Sequence, residues 1–566
     1  MRDLRHTVRA AAISGILLWA FAPAARPLPA AAHTCEATRH GVWYPNDPAR
    51  DSSSGLREAL GSADCAGQTL HIPAGAYYFL PLGLTAGFSI PANTTIEGDA
   101  DQLGNPATKL VVGTQANGQG NYDSFFKILD ASGVSIRHLD LQGSQDSTGC
   151  PANAYPGFGN AIEIMATKPQ QSVENITIQH NKFHDFNGQF WIYVHAYDRS
   201  AGIGVGSRID IGSNLFDAAG HDAGNGHLPG LDNCAGSVGL GWGVYQVWIQ
   251  GNGASQSGPV ANVNIVSNTF HANYVKGAIS VFGGNLRRIG IRYNEIYDAG
   301  RGVLETSASK ELGRYAIVVY DGTVANSGSL RPNEISVVSN KISAPVSCGI
   351  YVASAMNVQI SQNVISGQSD PYDVTLPKGA IALNGLLNPN PLPSGNVFQV
   401  DGNSLSDNRY GIEVAGGTGT INGNDIRNVP ENGVGIRVSL SDPGVGVATS
   451  LAFNNNTIAT LVAGKVTTSM IGFGPTPLGD GCTGSVVLPE ATLSIAGLAQ
   501  IGWAPGSPAP SLSWLDHGRR CHYRGFGPDG GKPYLLPSST LITKITRQAN
   551  PKSAPVTQTE FWPSND

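Results

Sequence analysis

The chain has 566 residues, of which 13% are charged, 41% are hydrophobic and 72 are glycine, with a formal net charge of −6. There is enough apolar residue for a large core, which excludes wholesale disorder. The absence of a Lys/Arg-rich run beyond the first ten residues sets a nucleic-acid partner aside. No long stretch carries the 3.6-residue apolar period of an amphipathic helix, so the expectation is an all-β chain rich in tight turns.

Arg2, Arg5 and Arg9 precede an apolar stretch from Ala10 to Ala25, and Ala30-Ala31-Ala32 offers small residues just before His33. This pattern predicts a secretory signal over residues 1–32, with an apolar run too short to span a bilayer. The mature chain is therefore expected to be secreted or periplasmic and free of the membrane. Seven cysteines suit an oxidising compartment. The preferred pairs are Cys35–Cys65, Cys150–Cys234 and Cys482–Cys521, each pinning a loop-rich region, although sequence alone leaves the connectivity open. Cys348, inside the strand-like Cys348-Gly349-Ile350-Tyr351-Val352, is expected as a buried free thiol.

Residues 33–130 read as an N-terminal cap and first coils, with a short helix over Leu56 to Leu60. Residues 131–460 carry the strongest signal, an apolar residue, two variable residues, Asn, one variable residue and another apolar residue. It recurs at Ile178/Asn181/Phe183, Ile211/Asn214/Phe216, Ile265/Asn268/Phe270, Ile291/Asn294/Ile296 and Val337/Asn340/Ile342. It continues at Ile360/Asn363/Ile365, Val400/Asn403/Leu405, Ile421/Asn424/Ile426 and Phe453/Asn456/Ile458. Successive asparagines are 21 to 54 residues apart, the short gaps approximating one bare coil and the long ones carrying loops. Alternating apolar residues put one face of each short strand inside. Asn tolerates left-handed backbone and its amide can bond up a column, so the chain is expected to turn at Asn. One coil cannot bury its apolar face, but a stack can. Past Ile458 the repeat fades, and 461–566 is expected as a C-terminal cap or small β module.

The entry Gln68-Thr69-Leu70-His71-Ile72-Pro73-Ala74-Gly75-Ala76-Tyr77-Tyr78-Phe79, then Ile90 to Gly98 and Val134 to Leu141, resembles the first coils of the pectate-lyase-like superfamily. The resemblance covers roughly Gly41 to Ile458. It implies a right-handed parallel β-helix with an N-terminal cap and a small C-terminal β region, acting on a polysaccharide, as a monomer or a homotrimer. Fold does not fix chemistry. The polygalacturonase pattern (Asn-Thr-Asp, Asp-Asp, Gly-His-Gly, Arg-Ile-Lys) and the Asp-Pro-His-Asp of alginate epimerases are absent.

Loops and outward faces are where a site is expected. The residue three after each ladder Asn should point outward, which aligns His184, Asp217, His271 and Tyr297 in one stripe, with Asp185 and Asp298 next to it. The longest gap adds His221 and Asp222, and a Cys150–Cys234 bond would wall a cleft there. Trp191, Tyr193, Trp242 and Tyr245 could pack on sugar rings. A lyase or epimerase needs a base and a cation near a uronate carboxylate, for which His184, His221, His271, Lys276, Arg292 and Arg301 are candidates. A glycoside hydrolase needs two carboxyl groups, which Asp185, Asp217, Asp222 and Asp298, or Glu305 and Asp321, could supply. A non-catalytic glycan-binding protein is the third reading. No metal spacing is present; some members of the superfamily use calcium, and Asp217 and Asp222 are the residues that could contribute.

Overall fold

The computed structural model describes residues 34–462 outside the segments 80–86, 113–120, 144–157, 168–171, 185–189, 197–204, 218–244, 252–258, 273–276, 301–314, 321–330, 369–378, 385–396, 430–433 and 439–447 and residues 416 and 455, and beyond 462 a set of strands by their backbone. Short strands pair in three long sheets of 14, 13 and 13 strands. From the second coil onward, the neighbours within each sheet are every third strand of the chain, and the pairing is parallel from Thr34–Glu36 to Ala448–Asn454. The chain therefore visits sheet A (14 strands, opening with Thr34–Glu36), sheet B (13 strands, opening with Gly75–Phe79) and sheet C (13 strands, opening with Phe88–Ser89) in turn and returns one coil further along. This is a right-handed parallel β-helix, the hand that twisted strands favour in parallel crossovers. A helix, Ser53–Gly61, lies among the first coils with Leu56, Ala59 and Leu60 buried, and Cys35 is bonded to Cys65. Past Thr457–Val462 the pairing turns antiparallel, and two hairpin-like pairs follow, Ser511–Asp516 with Arg519–Arg524 and Ile542–Arg547 with Val556–Phe561.

Alternation inside each strand explains the core. In sheet B only the middle residue of each three-residue strand faces inward, and Phe183, Phe216 and Phe270 stack with centroids 4.9 and 4.6 Å apart. Ile162, Ile192, Val247, Ile279, Ile317, Ile350, Ile381 and Ile412 form the matching inner row of sheet C.

The nine repeated asparagines line up between sheets A and B as a continuous amide ladder. Each Nδ2 donates to Oδ1 of the next Asn, from Asn181 to Asn214 (3.1 Å) through to Asn424 to Asn456 (2.8 Å). Each also donates to a backbone carbonyl of the preceding coil, as Asn294 does to Ile265 O (2.9 Å). The left-handed residue is not the Asn but the one before it. His180, Ser213, Ser267, Tyr293, Ser339 and Gln362 have φ between 53° and 56°, followed by Gly402 and Gly423 at 63°. The side-chain amide holds the corner from within, so the strain falls on its outer neighbour.

Candidate active site on sheet C

On sheet C the outward residues form two columns. One runs Lys127, Glu163, Tyr193, Trp248, Ser280, Val318 and Tyr351; the other runs Met165, His195, Gln250, Phe282 and Tyr320. Register brings each residue of the first column against the second-column residue one coil on. His195 Nε2 lies 2.7 Å from Glu163 Oε1. The Tyr193 hydroxyl donates to Gln250 Oε1. Trp248 packs on Phe282 with centroids 5.2 Å apart. One diagonal, repeated by the stacking of coils, thus gives a charged pair, then a polar pair, then an aromatic pair.

The Glu163 carboxylate is held from its other side. Ser124 Oγ donates to Oε2 at 2.9 Å, and Asn160 Nδ2 donates to Ser124 Oγ at 2.8 Å. Because a carboxylate only accepts, it draws the proton of His195 onto Nε2 and leaves Nδ1 with the lone pair. His195 Nδ1 has no hydrogen-bond partner among the described residues. The imidazole is 7% exposed and lies against the Tyr193 ring, centroids 3.9 Å apart and nearly parallel. Burial, helped by the Glu163 charge, pushes the Tyr193 phenol well above the ordinary tyrosine value, so it stays protonated near neutral pH.

Beyond this polar end the same face becomes aromatic. Phe190, Tyr245, Trp248, Tyr315 and Tyr351 are buried there, with Tyr193, Phe282 and Tyr320 half-buried beside them. Burial holds the phenols of Tyr245 and Tyr315 high as well. Trp248 is 3% exposed, and its buried indole N–H has no hydrogen-bond partner among the described residues.

The expected stripe exists, but on another face. His184, Asp217, His271 and Tyr297 stand in register on sheet B, one coil apart. There His184 Nε2 pairs with Asp140 Oδ1 at 2.8 Å, and the His271 and Tyr297 rings lie 5.4 Å apart. Tyr297 donates to Glu295, which holds its phenol high. Asp298 follows in a left-handed corner. Trp191 must be corrected as a sugar-stacking candidate, because its side chain lies inside the helix with Phe216. Tyr245 lies on sheet C but is sealed in the aromatic cluster. Arg292 is exposed on sheet A. Cys348 is a buried free thiol, as expected. Asp185, His221, Asp222, Trp242, Lys276, Arg301, Glu305 and Asp321 lie outside the described residues, as do Cys150, Cys234 and Cys482, and the side chain of Cys521. Among the described residues, one group of three potential metal ligands falls within reach of a single ion, Cys35, His40 and Cys65, and its two cysteines form the disulfide.

Glu163, His195 and Gln250 were not singled out by sequence. A signal was there: Ile192 and Val194 alternate with Tyr193 and His195, so one pair facing in forces the other out.

No family model and no curated protein matches the chain. Among solved structures it is similar to the mannuronan C-5 epimerase AlgE4 A-module of Azotobacter vinelandii, at 12% identity and TM-score 0.49 over 80% of this chain and 99% of that one. It is similar to the tailspike protein of E. coli bacteriophage HK620 in complex with a pentasaccharide, at 10% identity and TM-score 0.44 over 76% of this chain and 64% of that one. PfbA, a surface adhesin of Streptococcus pneumoniae, follows at 12% identity and TM-score 0.38, over 77% and 94%. At these values the likenesses carry no chemistry, and the architecture rests on the strand register described above.

Proposed function

We propose that the chain acts outside the cytoplasm on an acidic polysaccharide, as a lyase or epimerase that removes the proton next to a uronate carboxylate. The observation that carries this reading is the His195 imidazole, fixed by Glu163 at 2.7 Å with its Nδ1 left without a partner among the described residues, against the protonated Tyr193. His195 Nδ1 takes the C5 proton, and Glu163 steadies the resulting imidazolium. Tyr193 then supplies a proton. In a lyase it goes to the glycosidic oxygen as the C4–O bond breaks; in an epimerase it goes to the opposite face of C5. Lys127, in register with Glu163, places a cation on the same face to offset the substrate carboxylate. Hydrolysis draws less support, because it needs two carboxyl groups across the bond, and Glu163 is the one carboxylate in the two outward columns of sheet C given above and is engaged by His195 and Ser124.

The test is incubation with polygalacturonate and with polymannuronate in deuterated water. Unsaturated uronate absorbance, reducing ends and deuterium at C5 are followed together. Absorbance with new ends, or deuterium without new ends, is expected, and Tyr193→Phe should slow either by about 10²–10⁴-fold. New reducing ends with neither absorbance nor deuterium would overturn the proposal, as would unchanged turnover in both Tyr193→Phe and His195→Ala.

A further inference from the structure

We propose that sheet A carries a second, non-catalytic docking surface for an anionic polysaccharide, built by Arg287, Arg288, Arg292 and Tyr293. It shares a ligand class with the reading above but none of its residues. The strand Leu286–Arg292 buries Leu286, Ile289 and Ile291 and leaves its three arginines exposed. Among the described residues none of the three has a hydrogen-bond, ion-pair or ring partner, in a chain of net charge −6. The coils on either side scarcely neutralise them. Arg287 lies between Ala261 and Asn333, and Arg292 between Val266 and Val338. Among the described residues of the neighbouring sheet A strands, Asp210 is engaged by Arg208 and Asn264, both at 2.9 Å, which leaves Glu334 opposite Arg288.

Two further features belong to a contact surface rather than to a solvated edge. A Cβ at Gly290 would come within 3.3 Å of Arg292 Nε and 3.0 Å of Asn264 Oδ1, so the Arg292 guanidinium lies back over the glycine against the sheet. Next in the chain, Tyr293 is 61% exposed and sits in the left-handed corner at φ 56°. That conformation is a genuine outlier for a bulky side chain, and the same corner holds Ser267 one coil before and Ser339 one coil after. Folding gains nothing from an exposed ring placed there, whereas a ligand would. A planar guanidinium takes a carboxylate or sulfate with two parallel hydrogen bonds, and a tyrosine face packs on a sugar ring. From Arg287 to Arg292 the strand spans about 17 Å, the length of a few sugar units. A lipid surface fits less well, because interfacial binding buries a row of apolar side chains, and here Tyr293 alone is offered.

The full chain is titrated by calorimetry with polygalacturonate, with neutral dextran and with anionic phospholipid vesicles, at low salt and at high salt. Salt-sensitive binding of the uronate polymer alone is expected. Replacing the three arginines by glutamine should weaken it by about tenfold or more, with turnover of short oligouronates unchanged. Tyr193→Phe should remove turnover and leave this binding intact, which separates failure of the docking surface from failure of the catalytic reading. Tyr293→Ser restores the residue type of the neighbouring corners. It should keep or raise the melting temperature while weakening polymer binding, and it carries the test if the arginine variant does not fold. Undiminished polymer binding by Tyr293→Ser and by any arginine variant that folds, equal binding of dextran, or preference for vesicles would each overturn the proposal.

Discussion

At the scale of single residues, the sheet C site depends on one carboxylate having two tasks. Glu163 fixes the tautomer of His195 and sits beside Tyr193, and Ser124 fixes Glu163. Glu163→Gln keeps the shape but offers an amide that can donate as well as accept. The imidazole then loses its bias toward the Nε2–H form, and turnover should fall by about 10–100-fold with little change in KM. Steady-state kinetics on a uronate polymer checks this, and a change confined to KM would mean that Glu163 touches substrate instead. These residues were poorly legible in the sequence for a physical reason. The Asn repeat fixes the corner between sheets A and B, so counting from it reads out sheet B, where His184, Asp217 and His271 do align. Sheet C begins after loops of variable length, and counting across them loses the register. Trp191 departs from alternation altogether: it lies two residues before the outward Tyr193, where a strand would turn it outward as well, yet its indole is interior.

At the scale of elements, the amide ladder and the first coils make separate predictions. Asn294 accepts from the backbone N–H and the side chain of Asn268 and donates to Ile265 O and Asn340 Oδ1. Asn294→Ala strands several buried polar groups at once, each worth about 1–3 kcal/mol, so a loss of about 3 kcal/mol or more is expected in chemical denaturation. In the first coils His71 bridges Glu36 (3.0 Å) and Asp99 (2.9 Å). Burial opposes its charge, but the hydrogen bonds to Asp99 and Glu36 outweigh that and raise its pKa above 6.5. A raised histidine stabilises most below its unfolded pKa and loses that contribution as pH climbs through the folded value. Asp99 works from the other side. Its hydrogen bond from His71, partly opposed by burial and aided by Ala74 N–H, lowers its pKa below 3.8, so its contribution is lost as pH falls through the lowered value. The first coils should therefore be most resistant to proteolysis between about pH 4 and 6.5 and open more readily above it. His71→Gln should remove the upper limit, and a wild-type profile flat from pH 5 to 8 would contradict the assignment.

At the scale of the whole molecule, a solenoid has no single core, since each coil rests only on its neighbours. That is why the fold could be read from a corner motif: nine asparagines fix the stacking direction whatever the loops do. It is also why the site could not, because an outward face is assembled from coils whose spacing in the chain runs from 21 to 54 residues. The same one-dimensionality makes position matter for damage that is chemically equal. Asn456 stands at the end of the ladder, where it accepts from the Asn424 side chain and backbone much as Asn294 accepts from Asn268. Removing either amide strands similar donors. Near Asn456 the parallel winding gives way to antiparallel strands, and fraying of a terminal coil lets water satisfy the exposed groups without disturbing the rest. Around Asn294 coils press from both sides, and water can enter only by separating them. Hydrogen exchange followed by mass spectrometry should show Asn456→Ala speeding exchange in Ala448–Asn454 and Thr457–Val462 alone. Asn294→Ala should speed it in coils on both sides, including Val260–Val266 and Asn333–Val338. Equal and local effects of the two variants would mean that the coils melt independently. Equal and global effects would mean that the stack unfolds as one unit, in which case the end of the ladder bears as much of its stability as the middle.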